Sequence, residues 1–397
     1  MEAASIPKDL RQKCATIDPM GGRLLCLLLM ASAMSAQAEP PRWSVFGGGE
    51  GAGQEDAPGH GFFSVKYTDA DPKDGTRSVE LHTDTLRLEW SRLPLGEGYT
   101  LGVRLTGELG FANLVPDYFL DGERRVERGL FSSYIQGQAW VKGTLAPHLY
   151  GTLEVGGRRW VADRTPKTNP ALVLPADTWS LEPRLHLTWW HLVHDAGWSD
   201  PHRLFPRLNG FAAGVSLGLD WFSDTAPWGA LDPDTFNPVD PRNAPDALQW
   251  VVYQWVRAGG PAGDHLRWEA EQSFGHRTGP DDRTRWPAGG QTPYAAPLAG
   301  AYWAYFHADS FVSGVLSGRH KVSEGFEWGP FVNVLDLDDP RRRGEDDRRT
   351  FWGAGLAVDW RMGPWQIDLR GGYSPTLADA APAARPWSVF LNTGWGE

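Results

Sequence analysis

Cysteine is nearly absent from this chain of 397 residues. Its only two cysteines, Cys14 and Cys26, precede an Ala-x-Ala motif at residues 36–38, where a signal peptidase would cleave before Glu39. The mature chain would then contain no thiol. This excludes disulfides, cysteine-ligated metals and a cysteine nucleophile, and it suits passage through an oxidising periplasm.

Long apolar runs and basic charge are also scarce. No apolar stretch reaches the roughly 18 residues that a membrane-spanning helix needs. The net charge is −11 at pH 7, and removal of residues 1–38, with four basic and three acidic side chains, gives −12. This acidic balance argues against a nucleic-acid partner.

Recognisable catalytic and metal-binding patterns are missing too. The sequence has no Gly-x-Ser-x-Gly motif and no paired Ser and His that would suggest a hydrolase, so we predict a non-enzymatic protein without a cofactor. His186, His191 and His194 lie along one predicted strand but not on one face, which favours polar roles. An oxygen-rich loop could hold Ca²⁺, but four prolines and the lack of an EF-hand pattern favour a solvated loop; its residues are Asp232, Asp234, Asn237, Asp240 and Asp246. The mixed charges at residues 335–349 are also typical of a solvated loop.

The N-terminal segment has the pattern of an export signal. Arg23 precedes an apolar core at residues 24–34, and about eleven apolar residues cannot span a bilayer. Leu25 stands before Cys26 where a lipoprotein signal would need a small residue. We therefore predict a signal peptide at residues 1–38, with Met20 as an alternative start.

Tryptophan and glycine are abundant, with 21 and 47 residues, and many short segments alternate apolar and polar side chains. Residues 365–373 illustrate the pattern, because a strand has a side-chain period of two. Its apolar face carries Trp365, Ile367, Leu369 and Tyr373, and its polar face carries Gln366, Asp368, Arg370 and Gly372. We interpret the apolar face as lipid-facing and the polar face as lumen-facing.

The lengths of the connections predict the topology. Short and long connections alternate without a break through the last eight predicted strands, and in outer-membrane barrels the short turns face the periplasm. The fold class is therefore all-β: a transmembrane antiparallel β-barrel at residues 60–397, with both termini periplasmic. Fourteen strands are counted, or sixteen if residues 39–59 hold a first strand rather than a periplasmic lead-in and residues 77–92 are split.

A soluble β-sandwich or propeller is the alternative fold. A propeller would repeat a motif at a fixed period, and no such repeat is found. Aromatic residues instead cluster near strand ends, as the two interfacial girdles of a membrane barrel require. Examples are Trp221, Trp250, Trp268, Trp360, Trp365 and Trp395.

The order of several short motifs resembles the C-terminal barrel of the BamA-like superfamily, the bacterial surface antigen family of assembly and translocation proteins. These motifs are FPRLNG (205–210), GG (289–290), LAGAY (298–302), GPFVNV (329–334), FWGAGL (351–356) and GPWQIDL (363–369), followed by the aromatic terminal strand. The resemblance covers residues 177–397, and the earlier strands match only by periodicity. It implies that a long loop at residues 277–304 folds into the lumen, with the motif residues Gly289, Gly290, Leu298, Gly300 and Tyr302.

The sequence departs from the family pattern at several points. Ala299 stands where the family's loop arginine meets an inner-wall acid, Asn333 replaces the aspartate of the F-V-D motif, and Ala357 replaces an arginine. The upstream turn is one residue longer than the family's F-P-x-x-G. About twenty residues separate Glu39 from the clear strands, too few for one POTRA domain, so a separate chain would have to supply that function.

The resemblance implies a role in assembly, export or passage of proteins or surface components across the bacterial outer membrane. The seam between the first and last strands is expected to be weak, because one is Gly-rich and the other regular. Outer-membrane lipid, the barrel assembly machinery and a separate periplasmic or lipoprotein partner are the expected partners. The assembly machinery would read the terminal strand through Trp387, Val389, Leu391 and Trp395.

A porin-like or ligand-selective channel is the alternative function. Small residues on one predicted inner face would leave room in the lumen, and charges on another would line it. The small residues are Gly214, Ser216 and Gly218, and the charged ones are Arg267, Glu269 and Glu271.

Overall fold

Sixteen antiparallel strands close into a single barrel in the computed structural model of the chain. The described residues are 42–54, 60–71, 74–108, 119–120, 123–192, 209–230, 239–240, 243–291, 295–302, 305–339, 348–380 and 384–396. The predicted signal peptide and both cysteines lie outside them. Among the described residues, no helix combines the length and hydropathy that a bilayer crossing requires.

Each strand pairs with its neighbours in the chain, and the first pairs with the last. The strands are β1 (Arg42–Gln54), β2 (His60–Asp71), β3 (Gly75–His82), β4 (Thr85–Gly96), β5 (Tyr99–Glu108), β6 (Leu130–Ala146), β7 (Leu149–Arg164), β8 (Thr178–Leu192), β9 (Gly210–Phe222), β10 (Leu248–Pro261), β11 (Leu266–Arg277), β12 (Ser310–Ser323), β13 (Phe326–Asp338), β14 (Arg348–Met362), β15 (Trp365–Tyr373) and β16 (Ala384–Gly396).

Three smaller kinds of element lie in the connections. Two short strand pairs join Phe119–Leu120 to Glu123–Arg124 and Trp286–Ala288 to Phe306–Ala308. Within the described residues, a 3₁₀ turn covers Val126–Arg128 and a short helix, α1, covers Pro375–Ala380.

The count of sixteen includes the two strands that the sequence left open. Residues 42–54 form β1, and residues 77–92 are divided by a two-residue turn at Thr83 and Asp84. The Thr83 hydroxyl accepts the Phe63 N–H at 2.8 Å, and Asp84 accepts the Thr85 hydroxyl at 2.9 Å. The alternation of apolar and polar residues slips between Thr85 and Leu86, and this turn accounts for the slip.

The two faces of the barrel are arranged as predicted, with apolar side chains outside and polar ones inside. In β15, Leu369 is 41% exposed while Asp368 on the opposite face is 5% exposed and binds Arg370 through both carboxylate oxygens, at 3.0 and 2.6 Å. Aromatic side chains ring both ends of the outer face, among them Trp221, Trp250, Trp268, Trp360 and Trp365. This pattern fits a sheet closed inside lipid, where every backbone polar group must find a partner within the protein.

Connection lengths alternate as predicted through the last eight strands, which places both termini in the periplasm. Nearer the N-terminus the alternation of short and long connections fails once on the outer side of the membrane and once on the periplasmic side. The turn at Thr83 and Asp84 is short although it faces outward, and the connection at residues 193–209 is long although it faces the periplasm.

The prediction that residues 335–349 form a solvated loop is wrong for the first four of them. Residues 335–338 complete β13, and Leu335 and Leu337 are almost fully buried on its inner side. They are buried because a loop inside the barrel packs against them.

We predict that an arginine on the outer face destabilises the barrel and one on the inner face does not. Leu153 in β7 is 65% exposed to lipid, whereas its neighbour Thr152 faces inward. Leu153→Arg should lower the free energy of unfolding by about 2–4 kcal/mol. The check is denaturant unfolding of barrels refolded into lipid vesicles.

Thr152→Arg is the matched control, because it adds the same charge one residue away in a polar lumen. Equal losses for the two variants would contradict the assignment of the faces.

Candidate functional site

The connection between β11 and β12 is named the lumen loop, and its described residues are 278–291, 295–302 and 305–309. These residues turn into the barrel and pack against its inner wall. Leu298, Tyr302 and Phe306 of this loop are almost completely buried. They pack in one apolar cluster with inward-facing residues of β13 and β14 and with α1, namely Leu335, Leu337, Phe351 and Leu377. Burying side chains of this size stabilises the folded state by about 1.5–3 kcal/mol each, so the loop is an integral part of the fold.

Two consecutive glycines start the inward bend of the lumen loop. Gly289 and Gly290 have φ angles of +106° and +78°, a region that other residues rarely adopt. The bend is closed by hydrogen bonds from Gly289 N–H to the Ala296 carbonyl at 2.8 Å and from Leu298 N–H to the Gly290 carbonyl at 3.0 Å. Gly289, Gly290 and Leu298 therefore share one closed bend of the loop.

Gly300 lies at the closest approach of the loop to the barrel wall. Its φ is +85°, and a Cβ atom would lie 2.3 Å from the Pro386 carbonyl oxygen and 2.5 Å from the Ser374 nitrogen. No larger residue fits there without moving the loop away from β16.

Ala299 and Asn333, which the sequence shows as two separate departures from the family pattern, meet at one contact. The buried Ala299 N–H donates to the Asn333 side-chain oxygen at 3.2 Å. A Cβ on Gly353 would lie 2.6 Å from the Ala299 oxygen, and one on Gly372 would lie 2.5 Å from the Ala299 Cβ. The wall therefore leaves no space for a side chain longer than the Ala299 methyl group. A neutral hydrogen bond holds the loop where the resemblance implied an ion pair.

The lumen loop also bridges the two strands that close the barrel. Gln291 donates its backbone N–H to Glu50 of β1 at 3.1 Å and its side-chain amide to the Ser388 hydroxyl of β16 at 2.9 Å. The same hydroxyl accepts the Gly300 N–H at 3.0 Å. Glu50 is 2% exposed and lies on the inner face. One loop thus fastens both sides of the β1–β16 seam.

The seam itself is fully paired. Eleven residue pairs join β1 to β16, from Ser44 opposite Gly396 to Gln54 opposite Ala384, with one register shift between Ala52 and Gly53. The expectation that these unequal strands pair poorly is wrong for this conformation. The glycines of β1 permit the close approach, since a Cβ on Gly48 would lie 2.0 Å from the Leu391 carbonyl oxygen.

The wall opposite the seam carries paired charges. Asp220 of β9 binds both Arg184 and Arg277, and Glu182 binds Gln136 at 2.9 Å and Arg158 at 3.1 Å. Burying such groups is tolerated because each charge has partners of the opposite sign.

The small residues of β9 do not leave the space that the channel interpretation expected. The Trp255 ring lies over Gly214, the Arg184 side chain lies over Gly218, and the Ser216 hydroxyl is hydrogen-bonded to His186. Of the charged residues expected to line the lumen, Glu269 is buried and Glu271 is held by Arg257 at 3.1 Å, while Arg267 lies on the same face as both. Neighbouring side chains fill the gaps that the glycines provide.

A second cluster ties the outer end of the lumen loop to the β9–β10 connection. Arg285 binds Asp282 at 2.6 Å, Asp309 at 2.7 Å and the Asn243 side-chain oxygen at 3.0 Å. Burial disfavours the charged guanidinium, but the carboxylates of Asp282 and Asp309 outweigh it and hold the pKa of Arg285 above its ordinary value. Trp228 adds a bond to Asp281 at 2.9 Å.

The remaining candidates fall at separate places. The His191 ring meets the His148 ring edge-on at the periplasmic rim, far along the strand from His186, and His194 lies outside the described residues. Of the five loop oxygen ligands, Asp240 and Asp246 are described; no cluster of three potential metal ligands occurs in the described part of the chain. On β16, Trp387, Val389 and Leu391 face outward, and Trp395 is half-buried opposite Val45.

Sequence reasoning missed Glu50, Gln291 and Ser388, because partners 97 and 241 residues apart leave no local pattern. One usable signal was present in β13. Residues 331–335 are apolar on both faces, apart from Asn333, whereas a strand between lipid and water should be apolar on one. Such a run indicates that another part of the protein, rather than water, covers the inner face of the strand.

We predict that Gly300→Ala displaces the lumen loop. The added methyl group clashes with backbone atoms and the φ angle is strained, so the free energy of unfolding should fall by about 1–3 kcal/mol and protease should reach the loop. Limited proteolysis and denaturant unfolding measure both effects. Gly371→Ala is the control, since its Cβ meets nothing within 4 Å; equal sensitivity of the two variants would contradict the packing at Gly300.

No protein-family model and no curated protein sequence matches the chain. Solved structures do match. BamA from Haemophilus ducreyi lacking POTRA domains 1–3 is similar over 99% of this chain and 82% of that one, with 10% identity and a TM-score of 0.61.

CdiB from Acinetobacter baumannii and CdiB from Escherichia coli match 91% of this chain, each at 10% identity, with TM-scores of 0.55 and 0.56. The chain spans 60% and 64% of those two proteins. At this identity the likeness concerns the fold alone. The chain has the BamA-like fold, a closed antiparallel β-barrel of the outer-membrane type.

Proposed function

We propose that the protein acts in the assembly, export or passage of proteins or surface components across the bacterial outer membrane. The proposed route is the β1–β16 seam, with the lumen loop as a latch that must be released before the seam can open. The observation that carries this proposal is the bridge from Gln291 to Glu50 on β1 and Ser388 on β16. The proposed role is non-enzymatic.

The composition of β1 supports a seam that can separate. Five of its thirteen residues are glycine, so it presents few side chains to pack against β16 or the lumen wall. Backbone hydrogen bonds and a few contacts such as the stacked rings of Phe62 and Phe390, 5.8 Å apart, hold this part of the barrel. The loop therefore supplies side-chain contacts that the strand itself lacks.

The ends of the chain suggest its partners. We propose residues 1–38 as a signal peptide, and the outward-facing Trp387, Val389 and Leu391 with Trp395 as the surface that the barrel assembly machinery reads during biogenesis. Within the described residues, the chain contributes a barrel and its loops. A separate periplasmic or lipoprotein partner would deliver the cargo.

A disulfide across the seam should abolish function until it is reduced. Val389 pairs with Gly51 of β1, where a Cβ meets no atom within 4 Å. Gly51→Cys with Val389→Cys would place the only two thiols of the mature chain opposite each other. The readout is rescue of a deletion strain's surface phenotype, with and without a membrane-permeant reductant.

The chain offers a closely matched control for this experiment. Val389 also pairs with Gly371 of β15, where a Cβ is equally unobstructed. Gly371→Cys with Val389→Cys would lock a neighbouring strand pair and should leave activity intact. Full activity of the oxidised seam variant would reject the seam as the route.

A porin-like or ligand-selective channel is the second candidate, and planar-bilayer recording separates it from the first. We expect no stable conductance from the intact barrel, because the lumen loop and the paired charges occupy its inner wall. Deleting residues 289–302 should produce a stable conductance. Heat-modifiable mobility on gels is the control that the deletion variant still forms a folded barrel. A stable conductance of defined size from the intact protein would favour the channel.

A further inference from the structure

The outer face of β2 to β5 carries a groove of about 630 Å³. The strand registers place two rows of outward-facing residues across it. The first row runs from Asp69 through Arg77 and Trp90 to Val103, and the second from Tyr67 through Val79 and Leu88 to Leu105. The first row therefore begins with charged and aromatic residues, and the second row is apolar from Val79 onward.

The groove has depth because one of its residues lies below the surface. Tyr67 shares the outward face with Phe63, yet it is 7% exposed whereas Phe63 is 45% exposed. The Trp43 ring meets Tyr67 edge-on at 4.9 Å and covers it from β1. An apolar channel in a surface that already faces lipid is a place where one acyl chain can be held in a fixed position.

The charged row lies at the level of the periplasmic headgroups. Asp69 and Arg77 flank the periplasmic turn between β2 and β3. The Arg77 guanidinium lies over the Trp90 ring at 5.3 Å, and the Trp90 N–H donates to the Asp74 carbonyl at 2.7 Å. A stacked arginine on an anchored ring is held in place, as recognition of a phosphate requires.

Asp69 and Arg77 are direct cross-strand partners. Side chains at such positions start about 5 Å apart, which is comparable to the separation of phosphate and ammonium in a zwitterionic lipid headgroup. Among the described residues, neither side chain takes part in an ion pair, so both charges remain available to a ligand. An anionic headgroup would satisfy Arg77 but would be repelled by Asp69.

We propose that this groove binds one ethanolamine glycerophospholipid of the periplasmic leaflet. An acyl chain lies along Val79, Leu88 and Leu105, the phosphate binds Arg77, and the ammonium group binds Asp69. The proposal does not rest on the seam or on the cargo, and the site gives the barrel a fixed lipid neighbour beside β1.

The test is native mass spectrometry of the detergent-solubilised barrel titrated with phosphatidylethanolamine or phosphatidylglycerol. We expect one phosphatidylethanolamine to bind more tightly than phosphatidylglycerol. Arg77→Gln should weaken it about tenfold, the usual effect of losing one charge-assisted contact. Asp69→Asn should remove the preference between the two lipids while leaving phosphatidylglycerol binding unchanged or stronger.

A similar outward-facing group elsewhere on the barrel provides the control. Arg159 lies over Trp179 at 5.6 Å with Asp177 at 3.6 Å, but at the extracellular end and already paired. Arg159→Gln should leave lipid binding unchanged, and heat-modifiable mobility confirms folding of every variant. Equal binding of the two lipids by the wild type, or an Arg77→Gln variant that binds like the wild type, would overturn the proposal.

Discussion

Closure of the sheet at the β1–β16 seam is the constraint on which the rest of the structure depends. In lipid, an unpaired backbone N–H or carbonyl costs several kcal/mol, so a sheet can span the membrane only if it has no edge. The eleven pairs between Ser44–Gln54 and Ala384–Gly396 satisfy that requirement. Once the barrel is closed, the alternation of side chains fixes which residues meet lipid and which meet the lumen.

The lumen loop follows from that closure. A barrel of sixteen strands encloses more space than inward-pointing side chains alone fill, and this chain fills it in two ways. Paired charges cover the wall from β6 to β11, whereas an apolar loop covers β12 to β16. Asn333 gives the loop a neutral hydrogen-bond acceptor between the inward-facing Phe331 and Leu335 of β13. With Ala299 opposite, Gly353 and Gly372 leave no space for a longer side chain.

The sequence predicted the features of the fold that have a local period. Alternation assigned Leu369 to lipid and Asp368 to the lumen, and connection lengths assigned the periplasmic side. The sequence leaves the turn at Thr83 and Asp84 as an open alternative, because two residues without glycine or proline carry no strong turn signal. The contacts of Glu50, Gln291 and Ser388 depend on how distant strands meet, so no local pattern could predict them. The motif residues Gly289, Gly290 and Gly300 were identified by resemblance, and their positive φ angles give the physical reason for them.

The energetics of the seam limit what could open it. A neutral hydrogen bond contributes about 0.5–1.5 kcal/mol net, so the bonds from Gln291 and Gly300 to Ser388 are small beside a ladder of eleven residue pairs. Releasing the lumen loop would therefore not open the seam by itself. Opening would expose two edges to lipid, and only another backbone can satisfy them. A cargo that brings its own extended segment would meet this requirement by pairing with β1 or β16 as they separate. The loop would then determine when the seam opens, and the cargo would supply the stabilisation that makes opening possible.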